Sequence, residues 1–173
     1  MTLADTAQTT AESSLGSLVA QMANAIAASH YPKGDHAALR RWAPDQAVPL
    51  AFYRLWLHYL AADLPPEGQT PAWMTLAWGL AMLGEGAHDP RRPLGQALAE
   101  TKFAEGRLER LLSAPEEVRL KLFMDAVRFL AAKGESFDWR EAAQFLLITD
   151  PAKREALHRR IAAAFYRHQH KEF

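Results

Sequence analysis

The sequence predicts an all-α fold, and three observations carry that prediction. Apolar residues recur at three- and four-residue spacing, as in Leu15, Leu18, Val19, Met22 and Ile26, which is the period of one helix face. No alternating apolar–polar run of useful length occurs, so no half-buried strand is expected. The periodic stretches are separated by proline and glycine clusters, at Tyr31-Pro32-Lys33-Gly34, Asp63 to Gly68 and Gly84 to Pro93, and both residues interrupt helices. The expected architecture is a bundle of about eight or nine helices, forming one domain or two packed helical subdomains.

Each element has its own signal. Ser13 or Ser14 caps a first helix that runs to Ser29. Asp35 suits the N-cap of a short helix ending at Trp42. From Leu50 to Ala61, the residues Phe52, Leu55, Trp56, Tyr59 and Leu60 mark a buried face, with Arg54 and His58 on another side. Thr70 followed by Pro71 reads as N-cap and first helical residue of a mostly buried helix to Leu83. Short helices follow over Leu94 to Glu100 and about Ala104 to Leu112. Pro115-Glu116-Glu117 opens the next, with acids against the positive end of the helix dipole. Its face is Val118, Leu122, Phe123, Ala126, Val127 and Leu130, and Lys133-Gly134 ends it. Asp138 caps a helix that turns Ala142, Phe145 and Leu146 inward, and the last helix runs from Ala152 to about Arg167. The expected organisation is a flexible stretch over 1–11, a subdomain over 12–84, a connecting loop over 85–93, a second subdomain over 94–167 and a tail over 168–173.

Composition narrows the function. Lysine plus arginine is 20 and aspartate plus glutamate is 20, so net charge by itself predicts no nucleic acid. The distribution says more, because the last helix holds Lys153, Arg154, Arg159, Arg160 and Arg167. Cysteine is absent, which removes disulfides, thiol catalysis and Cys-ligated zinc and fits a cytoplasmic protein. The apolar run Pro71 to Leu83 falls short of the roughly 20 residues a bilayer needs. No His-Glu-x-x-His, phosphate-cradling glycine loop, dinucleotide fingerprint or nucleophile elbow occurs. His168 and His170 could not alone complete a tetrahedral metal site. Asp138, Glu141 and Asp150 near His158 are read as caps and surface charge, since nothing pairs them with a nucleophile. No cofactor or enzymatic activity is expected.

The basic rows are the informative class. Lys153, Arg160 and Arg167 recur every seventh residue along one edge of the stripe Leu157, Ile161 and Phe165. Arg107 and Arg110 share a face, and Arg40 with Arg41 closes a short helix. Two readings stand: phosphate contacts, which the planar guanidinium suits, or solvated faces with local pairs such as Glu105–Arg110 and Glu155–Arg159. Of the tryptophans, Trp56, Trp73, Trp78 and Trp139 fit core positions, and Trp42, beside Arg40 and Arg41, is the one allowed as exposed.

Four segments together resemble the CasB family, the small subunit of the type I-E CRISPR surveillance complex, Cascade. They are Gly34-Asp35-x-x-x-Leu39-Arg40-Arg41; Phe52-Tyr53-Arg54-Leu55; Leu94-Gly95-Gln96-Ala97-Leu98-Ala99 followed by Arg107-x-x-Arg110-Leu111-Leu112; and Phe137-Asp138-Trp139 with Arg159-Arg160-Ile161-Ala162-x-x-Phe165-Tyr166. Gln96 and Gly106 stand where the family often has arginine. The resemblance implies a non-catalytic helical subunit that pairs with a second copy along Cascade. It implies contact with the crRNA-containing complex and with target and non-target DNA, and no contact with membrane. It points to Lys33, Arg40, Arg41, Arg54, Arg107, Arg110, Arg119, Lys121, Arg159, Arg160 and Arg167 as phosphate donors. Arg54 is the one with an alternative role inside the fold.

Overall fold

The computed structural model describes residues 3–169, with side chains described from Ser14 onward. Met1, Thr2 and the end of the tail, His170 included, lie outside the described residues. Nine α-helices make up the described chain: α1 (Leu3–Ala27), α2 (Lys33–Arg41), α3 (Leu50–Arg54), α4 (Thr70–Leu83), α5 (Leu94–Glu100), α6 (Glu105–Leu112), α7 (Glu116–Ala132), α8 (Trp139–Leu147) and α9 (Pro151–His168). No strand occurs among the described residues; one isolated bridge joins His88 to Phe137. The chain is all-α, as its periodicity indicates. The first helix starts at Leu3 rather than at a Ser13 or Ser14 cap, and both serines lie inside it.

Helix α4 is the centre. Every residue from Ala72 to Ala81 is buried, because α1, α2, α7 and α8 all pack against this helix. Gly79 permits the α8 contact, since a Cβ there would come 2.2 Å from Cη2 of Trp139. The segment before α5 is clamped to the start of α8. The Phe137 amide donates to the Ala87 carbonyl, the Asp89 amide to that of Phe137, and the Trp139 indole to that of Ala87. Arg92 adds bonds to Glu135 at 2.6 Å, Glu100 at 2.8 Å and the Ser136 carbonyl at 2.8 Å. Helices α5 and α9 pack tightly through Gly95, whose added Cβ would fall 2.2 Å from the Ile161 carbonyl oxygen. One continuous apolar core runs from Val19 to Phe165.

The segment after α3 departs from regular geometry. Residues Leu55–Tyr59 form a π-helical turn, with the Leu60 amide donating to the Leu55 carbonyl at 2.9 Å. Ala61 then closes the segment in the left-handed region, at φ 48°, and the Ala62 amide reaches back to the Trp56 carbonyl. The wider turn shifts the phase of the apolar face. Phe52, Leu55, Trp56 and Leu60 are buried as expected, but Tyr59 is 37% exposed.

Two starting caps also differ. Asp35 lies within α2, where Pro32 holds the cap position and no side chain caps the helix. Thr70 is the first residue of α4, after Gln69. Asp138 does cap α8, accepting from the Arg140 amide at 3.0 Å.

Candidate nucleic-acid interface

The basic residues divide by what their charge meets. Lys33 and Arg40 project from α2 into a cleft of about 320 Å³, which Tyr31, His36 and Glu85 also line. Burial, and then Arg40, holds the His36 imidazole below its ordinary range, which favours the neutral ring. Arg41 is exposed at the end of the same helix. Lys33, Arg40 and Arg41 make no ion pair among the described residues.

Arg54 belongs to the fold as much as to the surface. Its Nε donates to Asp35 at 3.1 Å and its Nη2 at 2.7 Å, a bidentate bridge from α3 to α2. The bond to Asp35 raises the guanidinium pKa further. Asp35 is thus the anchor of Arg54 and not a helix cap.

On α6, Arg110 is exposed and Arg107 half-buried. The Arg107 guanidinium lies 4.5 Å from the Phe103 ring centre and 5.4 Å from that of Phe129. Both arginines border a hollow of about 110 Å³ with Leu122 and Asp125. Neither of the two local pairs weighed from the sequence forms. Glu105 accepts instead from the Tyr166 hydroxyl, and Glu155 makes no ion pair among the described residues. Lys121 is exposed on α7.

Arg119 is a correction. It is 3% exposed, with Nε and Nη2 donating to the Phe145 carbonyl at 3.1 and 2.9 Å. Its guanidinium carbon lies 3.7 Å from the Phe145 ring centre, and His158 Nε2 is 3.2 Å from Nη2. Burial, and then Arg154, pulls its pKa down to about 10. It remains charged at neutral pH but faces the interior. Its phase was visible: Arg119 falls in register with Phe123, Ala126 and Leu130, whereas Val118, expected inside, is 40% exposed. Trp42 is a second correction, being 6% exposed, with its indole N–H buried and unpartnered.

The α9 row splits. Arg160 donates to Gln144 at 2.8 Å and lies 3.7 Å from Glu141. Glu141 is itself buried and accepts from the Leu94 amide at the start of α5; burial pushes its pKa up. Arg159 and Arg167 are exposed and make no ion pair among the described residues. Asp150 caps α9 through the Lys153 amide. No group of three or more histidine or acidic residues that could hold a metal occurs among the described residues. None of the described helices is long and apolar enough to cross a membrane.

A family model described as CRISPR-associated protein Cse2 matches residues 35–166. The chain belongs to the Cse2 family. This is the family also called CasB, to which the four sequence segments pointed. As a Cse2 protein the chain is a subunit of the CRISPR Cascade complex, in a family whose role there is structural and non-catalytic. No curated protein and no solved structure matches the chain. The Cse2 match begins at Asp35 and ends at Tyr166, so it spans the Asp35–Arg54 bridge, α6 and all but the end of α9.

Proposed function

We propose that this Cse2 chain holds the DNA strands of the R-loop by sequence-independent phosphate contacts, in a cytoplasmic type I-E complex whose guide RNA reads the target by base pairing. The observation that supports this reading is a set of exposed cations left without carboxylate partners: Lys33, Arg40 and Arg41 on α2, Arg110 on α6, and Arg159 and Arg167 on α9. A cation with no internal partner is free to replace a counterion on a phosphate, which strengthens binding without reading sequence. Arg107 and Lys121 join this set, Arg54 and Arg160 contribute their exposed edges, and Arg119 is left out.

A second reading has its own support. Net charge is zero, and Leu50 and Leu57 on the α3 segment are 70% and 50% exposed. Apolar side chains held in water suit docking to neighbouring subunits or to a second copy. On that reading the chain is an adaptor that does not touch DNA.

The two are separated by purifying the complex with and without this subunit, from co-expression with its genomic neighbours and crRNA. The clamp reading expects an assembled particle in both cases, with weaker target-DNA binding when the subunit is missing. Equal DNA affinity in the two particles would contradict it and favour the adaptor.

A further inference from the structure

The turn between α5 and α6 carries a lysine in an unfavourable backbone conformation. Lys102 has φ 61°, in the left-handed region where a side chain crowds the backbone and glycine or asparagine is the ordinary choice. The turn closes α5 by bonds from the Lys102 amide to Ala99 and the Phe103 amide to Leu98. Any residue could make those bonds, and glycine would make them with less strain. A strained backbone position supports a functional role only when geometry adds to it, and here it does.

Lys102 lines a cleft of about 580 Å³, together with Phe103, Glu105, Phe165 and Gln169. Phe103 also borders the smaller hollow of Arg107 and Arg110, so the two share one lining residue. Phe129, which Arg107 also approaches, takes a second cation, with Lys133 Nζ 5.4 Å from its ring centre. The rings hold these side chains by cation–π attraction, which orients them without neutralising them. Of the local acids, Asp125 pairs with Arg128 at 3.1 Å, Glu100 and Glu135 pair with Arg92, and Glu105 accepts from the Tyr166 hydroxyl; Glu109, exposed on α6, pairs with no cation among the described residues. Lys102, Arg107, Arg110 and Lys133 thus make no ion pair among the described residues.

We infer that this strip, from Lys102 across Phe103 and Phe129 to Lys133, is a track for the phosphates of a single DNA strand, with Lys102 and Lys133 as contacts additional to Arg107 and Arg110. The inference rests on the clamp reading above and assigns it a path. Two aromatic rings prop the middle of the track, so its cations are preorganised and lose little freedom on binding. The strain at Lys102 is the cost of placing an ammonium at the mouth of the larger cleft.

The test uses the assembled complex with fluorescently labelled target DNA over a salt series. Lys102→Gly relieves the left-handed strain while removing the charge, so the subunit's melting temperature is expected to hold or rise as DNA affinity falls. Lys102→Asn, which tolerates the same φ, is expected to weaken DNA binding equally. Lys102→Gly combined with Lys133→Gln should flatten the log–log salt dependence by about 1.4, at about 0.7 per lost single-strand contact. Should these variants keep the wild-type slope while Arg40→Ala/Arg41→Ala flattens it, the track is wrong and the clamp stands. Wild-type slopes for both sets would overturn the clamp reading and the track with it. Loss of the subunit from the particle would show that the strip docks protein, which also overturns the track.

Discussion

Arg110 on α6 and Arg119 at the start of α7 stand on consecutive helices, and charge alone makes them equal candidates for a phosphate. The fold treats them oppositely. On α6, Arg110 is exposed and makes no ion pair among the described residues, with Glu105 taken by the Tyr166 hydroxyl and Asp125 by Arg128. At the α7–α9 corner, Arg119 occupies an apolar-face position, is stacked on Phe145 and spends two donors on one carbonyl. The difference teaches that spacing places a cation on a face, while the packing partner decides whether that face is wet. Buried Arg119 is part of the core's construction; exposed Arg110 is available to a ligand.

The sharpest blow to the core side of that comparison is Trp56→Ala. The indole is 3% exposed, edge-on to Trp73 with ring centres 5.1 Å apart. Emptying such a site costs about 3–5 kcal/mol. Chemical denaturation should show that loss with the helical signal retained at low denaturant. A wild-type midpoint together with lost DNA binding would make Trp56 a stacking platform instead.

Gly95→Ala comes next. Its Cβ would meet backbone atoms of α9, the Ile161 oxygen at 2.2 Å and the Phe165 nitrogen at 2.8 Å, so no side chain can swing away. Overpacking of this kind costs about 1–3 kcal/mol. Thermal melting should register it, and an unchanged melting temperature would mean that α5 and α9 sit farther apart than described.

Arg119→Met separates the two cations directly. Apolar volume is kept and a buried charge removed, while the Phe145 carbonyl loses its donors, which costs about 1–3 kcal/mol. Stability is expected to change within that range, and the salt dependence of DNA binding is expected not to change. A flattened slope would return Arg119 to the interface.

The smallest effect is a pH dependence at the same corner. Burial, and then Arg119, holds the His158 imidazole below its ordinary range. The charged groups around it are Arg119 and Glu116 on α7 and Arg154 and Glu155 on α9, with Phe145 from α8. The folded state favours the neutral ring, so the unfolded chain takes up the proton first. Stability is present above the unfolded pKa of about 6.5 and is lost as pH falls through it towards the lower folded value. His36 and His88 shift in the same direction. Melting temperature should therefore decline on mild acidification, and less steeply in His158→Gln. Parallel declines in the two proteins would remove His158 from the account.

Much of the fold was legible because its punctuation is strong. Pro32, Gly84, Pro93, Pro115 and Gly134 bound α2, α4, α5 and α7 close to where composition places them, whereas isolated glycines such as Gly79 and Gly95 continue a helix where close packing needs them. The π turn was not legible, because nothing in Leu55-Trp56-Leu57-His58-Tyr59 announces a wider turn, and Tyr59 was misplaced with it. Asp35 reads locally as a cap, the commonest use of aspartate before a helix, but its partner Arg54 lies 19 residues away. Long-range pairings of this kind leave no periodic trace. The burial of Trp42 is hidden for a related reason: its arginine neighbours in sequence say nothing about what packs over its ring.

The central claim is that phosphate contact falls chiefly to the exposed cations with no carboxylate partner. The measurement that tests it most directly is target-DNA affinity of the reconstituted complex across a salt series, comparing Arg40→Ala/Arg41→Ala with Arg128→Gln, whose arginine is exposed but bound to Asp125 at 3.1 Å. The account predicts a log–log slope reduced by about 1.4 in the first variant, at about 0.7 per single-strand contact, equal for all target sequences. It predicts no change in the second. Equal slopes in all three complexes, or a reduction in Arg128→Gln as large as in the double variant, would contradict it.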